Sequence, residues 1–147
     1  MSMLQKQISV FIENKRGRLA QITKTLGDNG VDLGALSIAD TADYGVLRLI
    51  VDKPGLAEKI LKDGGYAVSI TDVIAISVDD RPGGLAAALE ILDGYGLDIE
   101  YMYHYARKNS RKAAIIVRVD KPAEAVEKLA GSPVTLLSGE DLNGVQI

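Results

Sequence analysis

The chain repeats itself, and that constrains its fold more than any other property of the sequence. At an offset of 66, Ile8, Gly17, Leu19, Ala20, Leu26, Gly30 and Asp32 fall on Ile74, Gly83, Leu85, Ala86, Leu92, Gly96 and Asp98. At an offset of 68, Val51-Asp52-Lys53-Pro54 falls on Val119-Asp120-Lys121-Pro122, and Ala57 and Leu61 meet Ala125 and Leu129. The matches are glycines, prolines and periodic apolar positions, the residues that set backbone shape. Two copies of one small unit follow, over residues 1–73 and 74–147. The length of 147 residues is enough for two such units and no more.

Each copy reads as strand, helix, strand, strand, helix, strand. Ile8–Ile12 and Ile74–Val78 are short β-rich runs that stop at polar, turn-forming residues. Leu19, Ile22 and Leu26, with Leu85, Ala88, Leu89 and Leu92 in the second copy, recur at helical spacing. Asp28-Asn29-Gly30 and Gly94-Tyr95-Gly96 supply the glycines that end those helices. A strand is expected from about Val31 and Leu97, and another over Val46–Val51 and Ala113–Val119. Asp52-Lys53-Pro54 and Asp120-Lys121-Pro122 open a second helix, proline being tolerated in a first turn where its missing N–H is not needed. The last strands are predicted over Ala67–Val73 and Pro133–Leu137, and the ten residues after Leu137 lack periodicity and are expected to fray. The predicted class is α+β: two ferredoxin-like βαββαβ units, each an antiparallel sheet with both helices on one face. With no linker between them, the copies are expected to pack as one body. Many functions share that fold, so function must come from sites.

Composition removes several chemistries. There is no cysteine, which excludes disulfides, thiolate metal sites and cysteine nucleophiles. A single histidine, His104, rules out a multi-histidine metal centre within one chain. The formal charge of −3 is divided without bias: nine basic and nine acidic residues in 1–73, eight and eleven in 74–147. Neither half is a basic nucleic-acid module. No apolar run has the length of a membrane span and the N-terminus has no secretory pattern, so a cytoplasmic protein is expected, with neither membrane nor nucleic acid as partner. No catalytic motif occurs: no Gly-x-Ser-x-Gly, Walker loop, dinucleotide fingerprint or His-Glu-x-x-His. The expectation is a non-enzyme without cofactor or metal.

The chemistry that remains lies in two matched loops, Glu13-Asn14-Lys15-Arg16-Gly17-Arg18-Leu19 and Asp79-Asp80-Arg81-Pro82-Gly83-Gly84-Leu85. Each joins a first strand to a first helix. A glycine there lets a ligand approach the backbone, and the helix start offers unpaired N–H groups with a partial positive charge, suited to a carboxylate or phosphate. Taken alone, Gly17 and Gly83 are explained first as the requirement of a tight strand-to-helix turn. Strand, acidic or amide residue, basic residue, Pro-Gly-x-Leu, helix, then Gly-Val-Asp-Leu or Gly-Leu-Asp-Ile opening the next strand: twice over, this resembles the ACT domain.

The resemblance covers about residues 6–73 and 74–138, and the nearest type is the stand-alone tandem ACT protein without a catalytic domain. It implies a βαββαβ module that binds an amino acid or related metabolite where two modules pair, using the first loop of one and the second strand of its neighbour. Carried over, the ligand-binding candidates are Asn14, Lys15, Gly17, Arg18 and Leu19 with Asp80, Arg81, Gly83, Gly84 and Leu85, and Asp32 and Asp98 on the second strands. The loop N–H groups would hold a carboxylate, the aspartates an ammonium, and Leu19 or Leu85 the apolar part. Two departures stand out. Asp32 and Asp98 replace an asparagine common in the family, and a carboxylate there would repel a ligand carboxylate. Arg16 stands where Pro82 keeps the usual proline. A side-chain to backbone hydrogen bond at the strand start accounts for the aspartates equally well.

Tyr101, Tyr103 and Tyr105 share a face of one strand, where the first copy has Ala35, Ser37 and Ala39. Packing is the first explanation, and an aromatic wall or dimer contact the sharper one. RNA binding is set aside because the adjacent strands lack stacking aromatics. His104 faces the other way and reads as a packed or surface residue. Arg48 and Arg118 should lie on the face opposite the apolar one, solvated or paired with carboxylates. Arg107, Lys108, Arg111 and Lys112 flank a hairpin tip at Asn109-Ser110. The expected assembly is a homodimer of the tandem chain. The rival to a metabolite sensor is an interaction subunit that binds an enzyme partner and no metabolite.

Overall fold

The computed structural model describes residues 2–13, 15–40, 43–106 and 112–143. The chain folds as two compact units, one made of Lys6–Thr71 and the other of Met1–Gln5 with Asp72–Ile147.

The first unit holds β1 (Leu4–Glu13) from Lys6 onward, α1 (Arg18–Asp28), β2 (Leu33–Asp40), β3 (Tyr44–Val51), α2 (Pro54–Asp63) and the start of β4 (Ala67–Asp79). Its strand order is β2-β3-β1-β4. β1 and β3 are antiparallel, pairing Ile8 with Leu49 and Val10 with Leu47, so the apolar alternation of both strands falls on one face. Against that face pack Ile22 and Leu26 of α1 and Ala57 and Leu61 of α2, all fully buried.

The second unit repeats the plan with the rest of β4, α3 (Gly84–Gly94), β5 (Ile99–Tyr105), β6 (Lys112–Val119), α4 (Pro122–Leu129) and β7 (Thr135–Leu136). Ile74, Ile76 and Val78 pack with Ile115, Val117, Val119, Leu92 and Leu129. The βαββαβ reading therefore holds in both copies, antiparallel and with the helices on one face.

Local geometry is duplicated as well. Both first helices end in the same hydrogen-bond pair, Val31 N–H to Leu26 O with Gly30 N–H to Gly27 O, and Leu97 N–H to Leu92 O with Gly96 N–H to Asp93 O. Both second strands carry an irregularity at the same place, between Leu33 and Ala35 and between Ile99 and Tyr101. The extra residue puts Leu33 and Leu36 on one face, a spacing of three that simple alternation does not produce. Pro54 and Pro122 occupy first turns, as expected.

β1 and β3 begin earlier than the sequence predicts, at Leu4 and Tyr44, and three further differences have a local cause. The second strands begin at Leu33 and Ile99, two residues later than expected, because the hydrogen bonds that close the preceding helix claim Val31 and Leu97. The last strand shrinks to Thr135–Leu136, since Ser132 and Val134 are engaged in a turn through the Ser132 hydroxyl. The segment after Leu137 is not frayed throughout: Gly139–Asn143 forms a short helix, α5. Ser138 N–H donates to Asp141 Oδ2 at 2.8 Å and Asp141 N–H donates to Ser138 Oγ at 3.1 Å, a reciprocal cap. Leu142 is buried.

Among the described residues no helix is long and apolar enough to cross a membrane.

Candidate functional site

Gly17 and Gly83 sit at φ +86° and +83°, the left-handed region that an L side chain enters only with strain, and each caps the helix that follows. No side chain caps either helix and neither first turn holds an acidic residue. Each helix start therefore presents N–H groups and a positive partial charge without a built-in anion. The explanations from turn shape and from ligand binding are both compatible with this geometry.

The two loops differ in their side chains. In the first, Lys15 Nζ pairs with Glu13 Oε2 at 2.8 Å. The hydrogen bond from Lys15, its charge and that of Arg18 hold the Glu13 carboxyl below the usual range. Arg18, at the first helical position, is half-buried and carries a cation where the helix dipole disfavours one. In the second loop Asp79 accepts from Lys112 and from Arg81 Nε at 3.3 Å. The Lys112 hydrogen bond, foremost, and these charges lower the Asp79 carboxyl. Asp80 and Arg81 are exposed. Gly84 is buried, and a Cβ built there would stand 1.9 Å from the Asp79 carbonyl oxygen. Leu19 and Leu85 are partly buried against their own modules' cores. Asn14 lies outside the described residues.

Asp32 and Asp98 are exposed. Within a module, Asp32 follows the C-terminus of α1 and Gly17 precedes its N-terminus, so the 11-residue helix separates them by about 16 Å. A single module does not bring loop and aspartate together. The side-chain to backbone bond expected at the strand start exists, but its carboxylate is Asp52, whose Oδ1 accepts from Asp32 N–H at 2.9 Å. Asp52 N–H returns to Asp32 O at 3.2 Å, and Asp120 N–H to Asp98 O at 3.3 Å.

A cleft of about 340 Å³ opens beside the first loop, within Lys6–Thr71. Glu13, Arg18 and Gln21 line it from the loop and first turns of α1. Phe11 and Tyr44 come from β1 and β3, and Gly64, Gly65 and Tyr66 from the turn after α2. Of these, Arg18 alone is among the candidates the sequence suggests. Two signals point to others: Phe11 interrupts the polar face of β1, and pairing the strands sets Tyr44 opposite Glu13. The turn at 64–66 becomes adjacent through the fold alone.

Tyr101, Tyr103 and Tyr105 share a face, pairing with Arg118, Ile116 and Ala114, and are half-buried, while His104 is exposed on the other side. Arg118 is paired as expected, Nε to Glu100 Oε1 at 3.1 Å, and its NH1 donates to Asp72 O at 2.7 Å. The hairpin residues Arg107, Lys108, Asn109, Ser110 and Arg111 lie outside the described residues.

The sequence pattern of one family, the ACT domain pair, matches residues 3–145. Among solved structures, protein BT0572 from Bacteroides thetaiotaomicron is 44% identical with a TM-score of 0.88, over 95% of this chain and 96% of that one. The ligand-free regulatory subunit of aspartate kinase from Thermus thermophilus is 16% identical, TM-score 0.65, over 88% and 94%. The same subunit from Thermus flavus gives 16% and 0.63, over 86% and 88%. At that identity the likeness to the two regulatory subunits is one of fold. A comparison with curated proteins found no match.

Proposed function

Because the chain belongs to the family of ACT domain pairs, we propose that it is a non-catalytic regulatory protein that binds an amino acid or a related small metabolite at its strand-to-helix loops. The observation that carries the reading is the uncapped, glycine-started helix beside a cleft that offers a cation and a carboxylate, Arg18 and Glu13. An α-amino acid presents the opposite pair of charges. The loop positions Asn14, Lys15, Gly17, Arg18 and Leu19, and Asp80, Arg81, Gly83, Gly84 and Leu85, are the proposed ligand contacts. Asp32 and Asp98 can reach such a loop only from a different module. Binding stabilises the arrangement that forms the site, and a partner sensitive to that arrangement reads the change.

The test is thermal unfolding of the full chain against the common amino acids and 2-oxo acids. A ligand at 100 times its dissociation constant stabilises the folded state by about 2.7 kcal/mol, a rise of several degrees for a chain of this size. The rise should vanish when Gly17 and Gly83 are both replaced by valine in a chain that still unfolds cooperatively. No rise with any compound would sink the metabolite reading.

A second reading, a subunit that binds a protein partner and no metabolite, draws on Leu36 and Ile38. Both are exposed, 41% and 39%, on β2 at the end of its unit's strand order. The same strand would serve a homodimer. Recovery of a partner in equal amount with and without amino acids would favour this second reading.

A further inference from the structure

The two loops set their glycines alike, at φ +86° and +83°, and carry different side chains. We propose that the chain takes one amino acid per molecule, with a large apolar or aromatic side chain, in the cleft beside the first loop, and that the second loop takes none. The inference rests on the amino-acid reading above and narrows it to one module and one ligand class.

The first part of the argument is the lining. Arg18 and Gln21 stand three residues apart on α1 and so share a helix face. A guanidinium and an amide there suit a carboxylate. Glu13 is held ionised by its basic neighbours and suits an ammonium. The rings of Phe11, Tyr44 and Tyr66 line the rest, with Phe11 53% and Tyr44 63% exposed. Exposed rings around a concave site favour an apolar or aromatic ligand group. Glu13 disfavours a second carboxylate on the ligand, and Arg18 a second cation. At about 340 Å³ the cleft is at the small end of ligand sites, enough for one amino acid.

The second part is the fate of the same positions in the repeat. By the strand registers, Glu13 opposite Tyr44 corresponds to Asp79 opposite Lys112. Phe11 becomes Ser77, Arg18 becomes Gly84, Gln21 becomes Ala87, and Tyr66 becomes Val134. The guanidinium, the amide and all three rings are gone. The remaining carboxylate, Asp79, accepts from two cations, Lys112 and Arg81, where Glu13 pairs with one, Lys15. Position 84 has no room for a side chain.

Isothermal titration of the full chain with L-phenylalanine, L-tyrosine and L-leucine tests this, with phenylpyruvate and phenethylamine as probes lacking the ammonium and the carboxylate. One ligand per chain is expected for at least one of the three amino acids, with the two analogues of phenylalanine at least about tenfold weaker. Arg18→Gln should weaken binding by roughly ten- to a hundredfold without lowering the ligand-free unfolding temperature, the range expected for losing a charged hydrogen bond. Two ligands per chain, undiminished binding by Arg18→Gln, or preference for L-alanine or L-aspartate would overturn this assignment and leave amino-acid binding standing. Failure of every common amino acid with a 2-oxo acid still binding would overturn this assignment, and failure of both classes would overturn the function it rests on.

Discussion

Single residues decide what each loop tolerates. At Gly83 a Cβ meets nothing within 4 Å, so the obstacle to substitution is the backbone angle alone. At Gly84 the angle is ordinary for any residue, but the Asp79 carbonyl occupies the space. Gly83→Ala should therefore cost about 1–2 kcal/mol, the strain of a left-handed alanine. Gly84→Ala should cost about 3 kcal/mol, because main chain must move. Urea unfolding of the two variants checks the order, and equal losses would contradict it.

Asp79 makes a prediction in pH. Its folded-state carboxyl is lowered by Lys112 and Arg81, so it contributes stability above the ordinary carboxylate range and loses that contribution as pH falls through its depressed value. Asp79→Asn should be less stable than the parent at neutral pH, and the gap should close in acid. Thermal unfolding from about pH 7 to about pH 2 would show it; a gap that widened in acid would reverse the sign.

At the level of elements, helix ends separate what periodicity can reveal from what it cannot. The apolar spacing of Leu19, Ile22 and Leu26 exposes α1 because a buried face writes itself into the sequence every three or four residues. α5 has five residues and one buried leucine, too short for any period, and its signature is instead the Ser-x-x-Asp cap of Ser138 and Asp141. Ser138→Ala should cost about 1 kcal/mol and uncover Leu142. Hydrogen exchange at Asp141 N–H would report the loss of its acceptor, and unchanged protection would rule out the cap. The bulges at Leu33/Ala35 and Ile99/Tyr101 are illegible for a related reason. An inserted residue changes which face later residues occupy, yet leaves composition and alternation on either side intact.

At the level of the molecule, duplication makes the fold legible and half conceals the cleft. Matched glycines and prolines define two βαββαβ modules, since such residues record backbone geometry. The same matching draws attention to positions the copies share, namely Gly17 and Gly83, Asp32 and Asp98. The cleft is lined by residues they do not share: Phe11 against Ser77, Tyr44 against Lys112, Tyr66 against Val134. On the proposed assignment, what repeats reports shape, and what fails to repeat reports chemistry. Asp32 shows the limit from the other side. It is kept in both copies, yet in the first the strand-start bond is made by its main chain, with the carboxylate supplied by Asp52, twenty residues on.

The carbonyl of Asp79 pressed against Gly84 also bears on history. Two copies that began alike could exchange roles for as long as each position accepted the other's residue. With position 84 closed, a single codon change that puts an arginine at the start of α3 must also displace the loop at 79–84. Divergence between the halves then becomes a ratchet. A change of side chain is accepted at position 18 far more readily than at position 84.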